Sequence, residues 1–318
     1  MCKKIYVVMY HYVRDLKHSR YPRIKGLDVS LFEKQIDFFV NKFKIIKMED
    51  LIAYYTESYE LPDNSLLLTF DDGYIDNYSF VLPILNEYGV QGSFFIPGKT
   101  FSTHLLLDVN KVHYILASAN IEDLVKDINE RLIHYSNSEF EYESLQDLYK
   151  KYAVANRFDD KDTIYVKRLL QTALPEKLRN IISSELFQKY VGINEEKLAY
   201  ELYMSEKQIM FMKKQGMHIG IHGYDHYWLA NLNEMDMKND IDKAIEVMEK
   251  FIDKKSWVMN YPYGNYSDSV ISYIMDKGCS IGLSTEVRVC DLSIDNRFAL
   301  PRCDCNDFPP VSNNYISI

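Results

Sequence analysis

The chain has 318 residues, of which 47% are hydrophobic and 26% charged, and its formal net charge is −9. This composition is typical of globular proteins and disfavours a disordered, collagen-like or coiled-coil chain. The acidic balance disfavours nonspecific nucleic-acid binding through a basic surface. The length allows one large domain or two ordinary ones.

The N-terminal segment indicates in which cellular compartment we expect the protein. The apolar run Ile5–Tyr10 has six residues, fewer than the roughly seven to fifteen of a signal-peptide core, and no small-residue cleavage site follows. No stretch approaches the roughly 18 uncharged apolar residues that span a bilayer. We therefore expect a cytoplasmic protein without a membrane span.

The cysteine count favours reduced thiols over a disulfide framework. The five cysteines are an odd number, whereas secreted frameworks usually have an even count in a much shorter chain. Their positions are Cys2, Cys279, Cys290, Cys303 and Cys305. The last two form C-x-C, which is not the spacing of a zinc ribbon.

The first hundred residues alternate between strand and helix patterns. The β-branched and aromatic run Ile5–Val13 predicts a first strand, and Ser30–Glu33 reads as a capping box that begins a helix. Ser65–Phe70 is continuously apolar, which is typical of a parallel strand covered on both faces. A helix over about 77–88 and a strand at Gly92–Pro97 follow.

The pattern changes from about Ser102 to Tyr203. This stretch contains charged, periodic segments with few strand signals, broken at Pro175 and Gly192. It predicts several short helices inserted between two strands, at about 102–203 of a domain that spans 1–318. We expect these helices to form a lid or a specificity wall on the side of the motifs described below, and a dimerisation surface is the rival interpretation.

Alternation then resumes to the end of the chain. The predicted elements are helix Ser205–Gln215, strand Met217–His222, helix Asn233–Asp253, strand Trp257–Tyr261, helix Ser267–Lys277 and short strands near Ser280–Ser284 and Phe298–Pro301. Alternating strands and helices indicate an α/β domain with a mostly parallel sheet, either a barrel or open. Ligands gather at the carboxyl ends of the strands in both cases.

Two adjacent carboxylates, Asp71 and Asp72, directly follow the predicted strand Ser65–Phe70. Because like charges at this separation repel, an isolated pair would keep one proton or recruit a cation. Asp-Asp-Gly alone is also a common turn. The preceding strand and a second motif favour a functional role.

The second motif, His222–His226, ends another apolar strand. Histidines four apart lie on one face if the segment is helical, and they then bind one metal through imidazole nitrogens. The chain has only eight histidines, which makes ligation the better interpretation. His218, one residue into the strand, is expected to be structural.

A third motif, Asn260-Tyr261-Pro262-Tyr263-Gly264, follows the strand Trp257–Met259. Pro and Gly fix a tight turn that could present a backbone N–H to a developing oxyanion. Taken alone it is only a turn.

Together and in this order, the motifs Thr69–Gly73, His222-x-x-x-His226 and Tyr261–Gly264 resemble the polysaccharide deacetylases with a NodB homology domain, carbohydrate esterase family 4. The resemblance covers about 1–100 and 205–318. It implies a distorted (β/α) barrel of about seven strands, and hydrolytic removal of an N-acyl group from an amino sugar.

The resemblance also implies roles for individual residues. Asp72, His222 and His226 would hold a divalent metal, and Asp71 would be the general base for the water that the metal activates. The backbone N–H of Tyr263 would help hold the oxyanion. Zn²⁺ suits imidazole and carboxylate ligands, and Co²⁺, Ni²⁺ or Fe²⁺ compete for the same set.

Two positions depart from the family pattern. The third motif has Asn260 where the family often has an arginine that orients the base; Arg302 is either its substitute or an ordinary surface residue. No histidine follows His226, although the family's general acid usually does. Tyr10-His11-Tyr12 resembles the N-terminal strand of exopolysaccharide deacetylases, so we expect His11 to be the acid; a hydrogen-bonded histidine in an edge strand is the alternative.

The leading hypothesis is a metal-dependent deacetylase or deformylase acting on an amino-sugar or glycan precursor for capsule or lipopolysaccharide. One alternative is a metal-dependent amidase with a non-sugar substrate. The other is a catalytically silent carbohydrate-binding protein of the same fold. The sequence leaves the sugar, the acyl group and the oligomeric state open.

Overall fold

The structure is a computed structural model that describes residues 4–136 and 138–318. The chain divides into two compact units. The first, called the sheet unit, comprises Met1–Lys17, Gly26–Leu105 and Ala199–Ile318. The second, called the helical unit, comprises His18–Lys25 and Leu106–Leu198.

All the strands of the described residues belong to the sheet unit. They are β1 (Lys4–Tyr10), β2 (Val13–Arg14), β3 (Leu27–Asp28), β4 (Lys44–Ile45), β5 (Ser65–Phe70), β6 (Ser93–Ile96), β7 (His218–Ile221), β8 (Trp257–Asn260), β9 (Cys279–Leu283), β10 (Cys290–Asp291) and β11 (Cys303–Asp304). The main sheet has the order β10-β1-β5-β6-β7-β8-β9, with β11 beside β1 and β4 beside β5. The strands from β1 to β9 along this order run parallel to their neighbours. The seven strands of this order form a curled sheet, which confirms the predicted distorted (β/α) barrel class.

The helices lie between the strands along the chain, and several of them follow one another between β6 and β7. They are α1 (Val29–Lys42), α2 (Met48–Thr56), α3 (Leu82–Tyr88), α4 (Gly98–Ser102), α5 (Asp108–Ser118), α6 (Ile121–Tyr135), α7 (Leu145–Tyr152), α8 (Lys161–Arg168), α9 (Glu176–Tyr190), α10 (Glu195–Leu202), α11 (Glu206–Lys214), α12 (Glu234–Met248) and α13 (Asp268–Asp276). The helical unit contains α5 to α9 and the start of α10. Among the described residues, none of these helices combines the length and the apolar character needed to cross a bilayer.

The sheet separates two apolar layers because side chains alternate between its faces. On β5, Leu66, Leu68 and Phe70 pack outward with the buried sides of α1, α11, α12 and α13. Leu67 points the other way and packs inside the curl with residues of β1, β6, β8 and β9. Asp71 continues the inward phase of Leu67, so the pleat directs its side chain to the interior at the strand's carboxyl end.

The first strand is shorter than predicted. It ends at Tyr10, where its pairing with β5 reaches Phe70, so the predicted strand Ile5–Val13 is wrong at its end. His11 therefore follows a strand instead of lying within one. It sits at the same edge of the sheet as the residues that follow β5.

Two other local predictions differ from the structure. Helix α1 begins at Val29 because the Asp28 carboxylate accepts the backbone N–H of Ser30 at 3.0 Å, so Asp28 is the cap and the predicted capping box at Ser30 is wrong. The segment 298–301 is not a strand; it makes one bridge, between Leu300 and Leu283.

The cysteines behave as predicted within the described residues. Cys279, Cys290, Cys303 and Cys305 are free and buried, and burial raises the pKa of Cys279 to about 12. These thiols therefore stay protonated at neutral pH. Cys2 lies outside the described residues.

Replacing Gly282 on β9 by alanine is expected to lower the free energy of unfolding by about 3 kcal/mol, at the upper end of overpacking effects. A Cβ there would lie 2.1 Å from the Phe298 carbonyl oxygen. Gly89→Ala is the control, because Gly89 has φ +66° but no heavy atom within 4 Å of its Cβ position; it should cost about 1 kcal/mol. Equal costs in urea denaturation would contradict this account of the β9 contact.

Candidate metal and catalytic site

The predicted site residues lie at one edge of the sheet. Asp71 and Asp72 follow β5, His222 follows β7, and His11 follows β1. The carboxyl ends of parallel strands point the same way, so these side chains converge. The structure thus brings together three segments that are far apart in the sequence.

Asp72, His222 and His226 form a buried cluster whose ligand atoms lie within 4.8 Å of one another. The Asp72 Oδ1 atom is 3.4 Å from Nε2 of His222 and 3.3 Å from Nε2 of His226. Two ligand atoms bound tetrahedrally at about 2.1 Å from one ion are about 3.4 Å apart. The spacing therefore fits a common cation.

Polar atoms in this cluster lack protein partners. Among the described residues, no hydrogen bond satisfies Asp72 Oδ1 or His226 Nδ1, although both are buried. A buried polar atom without a partner costs about 1–3 kcal/mol. The orphaned carboxylate oxygen facing two imidazole nitrogens is what an absent cation would satisfy, so the residues fit a divalent metal with nitrogen and oxygen ligands.

The electrostatics of the cluster favour ligation. Burial alone would raise the pKa of Asp72, but the imidazoles of His222 and His226 outweigh it and hold the pKa well below its usual range. Burial lowers the pKa of His226. Both shifts favour the ionised carboxylate and a neutral imidazole, the forms that bind metals.

The His222–His226 segment is a loop and not a helix. Gly223 and His226 have φ values of +67° and +60°, and these two left-handed residues turn the chain so that both imidazoles meet Asp72. The two imidazoles therefore come together without the helical geometry that would also place them on one face.

Other groups hold the three side chains in place. His222 Nδ1–H donates to the Asn260 carbonyl oxygen at 2.6 Å, which leaves Nε2 free to face Asp72. The Tyr74 hydroxyl donates to Asp72 Oδ2 at 2.6 Å. Such outer partners fix the tautomer and the orientation of a ligand.

Asp240, on α12, accepts two hydrogen bonds from the backbone of the loop that carries His222 and His226. Its carboxylate accepts the backbone N–H of Tyr224 at 2.9 Å and that of Asp225 at 2.8 Å. Burial raises the pKa of Asp240 to about 6, against the effect of these two donors. Sequence reasoning missed this residue, but a signal exists: Asp240 lies on the apolar stripe Met237, Ile241, Ala244, Met248 of its helix.

Asp71 is paired with Arg302, which resolves the alternatives left open for that arginine. Arg302 is fully buried, and its Nη1 and Nη2 atoms each lie 2.8 Å from an oxygen of Asp71. Its Nε donates to the Ser284 carbonyl oxygen at 2.8 Å. Arg302 is thus no surface residue but a fixed partner of the aspartate next to the metal cluster.

This pairing sets the charge of Asp71. Burial would raise the pKa of Asp71, but the guanidinium of Arg302 outweighs burial and lowers the pKa to about 2. The carboxylate is therefore ionised at neutral pH and can accept a proton.

His11 lies beside Asp71 on the solvent side. Its Nε2 is 3.6 Å from Asp71 Oδ2, and its side chain is 43% exposed. Since β1 is flanked by β5 on one side and by β10 and β11 on the other, His11 does not extend an edge strand.

Tyr263 follows β8 in a tight turn and has φ +58°. Its ring stacks on Trp228 at 4.5 Å between centroids and meets the ring of His226 edge-on at 4.6 Å. The Tyr263 ring thus contacts one of the three residues of the buried cluster. The Asn260 side chain, by contrast, has no hydrogen-bond partner among the described residues and pairs with no carboxylate.

Comparison with known families identifies the class of this protein. The polysaccharide deacetylase family matches residues 58–281, more than two thirds of the chain. The chain therefore belongs to the polysaccharide deacetylases, and this membership supports hydrolysis of amide bonds in carbohydrates. The matched range contains the aspartates, both cluster histidines and Tyr263, but neither His11 nor Arg302.

A curated relative and three solved structures are similar to the chain. YxkH of Bacillus subtilis (strain 168), whose name assigns it provisionally to the polysaccharide deacetylases, is 28% identical over 98 residues, which are 30% of this chain and 33% of YxkH. The deacetylase PplD of Streptococcus pyogenes, solved in complex with acetate, has a TM-score of 0.60 and 14% identity, covering 99% of this chain and 97% of its own.

IcaB from Ammonifex degensii has a TM-score of 0.57 and 16% identity, covering 99% of this chain and 95% of its own. A de-N-acetylase from Aggregatibacter actinomycetemcomitans has a TM-score of 0.55 and 14% identity, covering 98% of this chain and 99% of its own. At these identities the solved structures show a shared fold.

The pairing of Asp71 with Arg302 predicts a large effect of removing one partner. Arg302→Met is expected to lower the free energy of unfolding by about 3–5 kcal/mol, because it leaves a buried carboxylate without its cation. The double variant Asp71→Asn/Arg302→Met should recover part of this loss, since neither charge then stays unpaired. Urea denaturation of the three variants checks this, and a single-variant loss below about 0.5 kcal/mol would contradict the pairing.

The role of Asp240 predicts a second effect. Asp240→Asn is expected to weaken Zn²⁺ binding about tenfold, because an amide can accept only one of the two N–H groups and the loop that carries His226 loses a support. Asp242→Asn, on the exposed side of the same helix, is the matched control and should leave the affinity unchanged. Competition with a chromogenic chelator measures both, and equal affinities in the two variants would show that Asp240 does not position the loop.

Proposed function

We propose that this protein is a divalent-metal-dependent hydrolase that removes an N-acetyl or N-formyl group from an amino sugar in the synthesis of cell-surface polysaccharide. The observation that carries the proposal is a buried carboxylate, Asp71, fixed by Arg302 directly beside the cluster Asp72, His222 and His226. We further propose that 1–318 forms one deacetylase domain with the helices of about 102–203 as an insertion.

The ligands would be Asp72, His222 and His226. A divalent cation, when bound, acts as a Lewis acid towards the amide carbonyl and lowers the pKa of a water molecule towards neutrality. Zn²⁺ is the first candidate for this donor set, before Co²⁺, Ni²⁺ and Fe²⁺.

The side chains of this protein would then move the protons. Asp71, ionised through its pairing with Arg302, accepts a proton from the attacking water as the new C–O bond forms. The backbone N–H of Tyr263 donates to the oxyanion that develops on the carbonyl oxygen. His11 donates a proton to the nitrogen as the C–N bond breaks, which releases the free amine and the carboxylic acid.

Two of the solved relatives support an acetyl group as the group that is removed. The PplD structure contains acetate, which is the acid released when an N-acetyl group is hydrolysed, and the A. actinomycetemcomitans relative is described as a de-N-acetylase. Because these relatives share little sequence with the chain, the sugar itself remains part of the proposal.

The two alternatives predict different outcomes. An amidase would hydrolyse small non-sugar amides and leave amino sugars intact. A silent carbohydrate-binding protein would have no need for a general base beside metal ligands, so the buried pairing of Asp71 with Arg302 disfavours it.

The direct experiment measures acetate release from N-acetylglucosamine oligomers and its dependence on metal. We expect activity to disappear with a chelator and to return with Zn²⁺ or Co²⁺. His222→Ala should abolish it, whereas Asp71→Asn should lower kcat by roughly 10²–10⁴-fold. His218→Ala is the matched control at the other end of the same strand, where the histidine pairs with Glu49, and it should keep both metal and activity.

The assignment of His11 has its own test. His11→Ala should lower kcat by roughly 10²-fold or more, because the departing nitrogen then lacks its proton donor. Turnover that is unchanged in His11→Ala but absent in His222→Ala would show that the acid lies elsewhere. Metal-independent hydrolysis, or none on any amide, would overturn the proposed function.

A further inference from the structure

The helical unit contains a cavity of about 330 Å³ that lies apart from the sequence motifs discussed above. This volume is at the lower end for small-molecule sites, about 300–1,000 Å³. Arg23, Lys25 and Lys167 line it together with a single carboxylate, Asp159. The lining therefore carries an excess of two positive charges, before any contribution from His113, in a chain whose net charge is −9.

The two lysines are held in place by the carboxylate between them. Asp159 is buried, and its Oδ2 accepts from Lys167 Nζ at 2.7 Å while its Oδ1 pairs with Lys25. Lys25 Nζ also donates to the Phe158 carbonyl oxygen. The Lys25 side chain is 64% exposed, but that of Lys167 is only 22% exposed. A ligand would therefore lose less side-chain entropy on binding the paired Lys167.

Arg23 has N–H groups that are open to a ligand, whereas the ammonium groups of the two lysines already contact Asp159. Its Nε donates to the Ala117 carbonyl oxygen at 2.8 Å, which fixes the plane of the guanidinium. Among the residues that the structure describes, its two terminal nitrogens donate to no protein acceptor. A fixed guanidinium with open terminal N–H groups matches the oxygens of a phosphate or carboxylate bidentately.

We propose that this cavity binds a small phosphate monoester with a sugar-sized organic group. A phosphate monoester carries a charge of about −1.5 to −2 at neutral pH, which matches the excess of two positive charges, whereas a carboxylate carries one. Leu116 and Ile121 supply an apolar wall for the organic part. The site is independent of the proposed deacetylase activity, because every residue of its lining lies in the helical unit.

Isothermal titration calorimetry on the full chain tests this, with glucose 6-phosphate, glucuronate, inorganic phosphate and glucose as the probes. We expect glucose 6-phosphate to bind best, glucuronate and inorganic phosphate more weakly, and glucose not at all. Because the interaction is electrostatic, its affinity should fall as salt is raised.

Variants locate the binding. Arg23→Gln and Lys167→Gln should each weaken binding of glucose 6-phosphate tenfold or more, whereas Lys126→Gln, an exposed lysine of α6 outside the cavity, should not. His222→Ala should bind as the unaltered protein does, which separates this site from the proposed metal centre. Circular dichroism confirms that each variant is folded, and the charge-reduced variants are compared only where their melting curves match.

Three results would overturn the proposal. Glucose 6-phosphate could fail to bind at millimolar concentration, or bind no better than glucuronate. Its binding could also be lost in His222→Ala but kept in Arg23→Gln, which would place it at the metal centre.

Discussion

Two adjacent carboxylates are buried at the end of one strand, and the rest of the site follows from how each charge is compensated. Asp71 and Asp72 are 1% and 2% exposed, and neither could stay ionised there without a partner. Asp71 is neutralised by a guanidinium that contacts both its oxygens. Asp72 faces two imidazoles and a tyrosine hydroxyl, and one of its oxygens has no hydrogen bond among the described residues.

This difference separates the proposed roles. The oxygen atoms of Asp71 are held by Arg302 and lie beside His11, so they are placed to exchange a proton. Asp72 has φ +71°, which turns it away from its neighbour and towards the histidine loop. The proposal gives one aspartate the role of base and the other that of ligand, because the chain changes direction between them.

The sequence predicted those parts of the site that depend on strand ends. Ser65–Phe70 is a strand with the predicted limits, and the carboxylates and the histidine pair that follow predicted strands do meet. The parts it could not predict depend on contacts between distant residues. Arg302 and Asp71 are 231 positions apart, and only the fold shows that this arginine is buried. Asp240 interrupts the apolar stripe of α12, a pattern that indicates a buried carboxylate but does not show which backbone N–H groups it accepts.

Local sequence patterns do not predict the backbone where tertiary contacts or left-handed residues determine the path of the chain. The His222–His226 spacing would place both imidazoles on one face of a helix, but Gly223 and His226 in the left-handed region bring them together in a loop. The first strand was extended through His11, whereas its pairing with β5 ends at Tyr10. Both differences concern the path of the backbone, whereas the side chains that the sequence motifs contain do meet at one edge of the sheet.

The division of roles between the two aspartates is tested most directly by the zinc content of two variants, measured by mass spectrometry after equilibration with Zn²⁺ and removal of the free metal. The account predicts one ion per chain in Asp71→Asn, as in the unaltered protein, and none in Asp72→Asn. Zinc retained in Asp72→Asn, or lost from a folded Asp71→Asn, would contradict it.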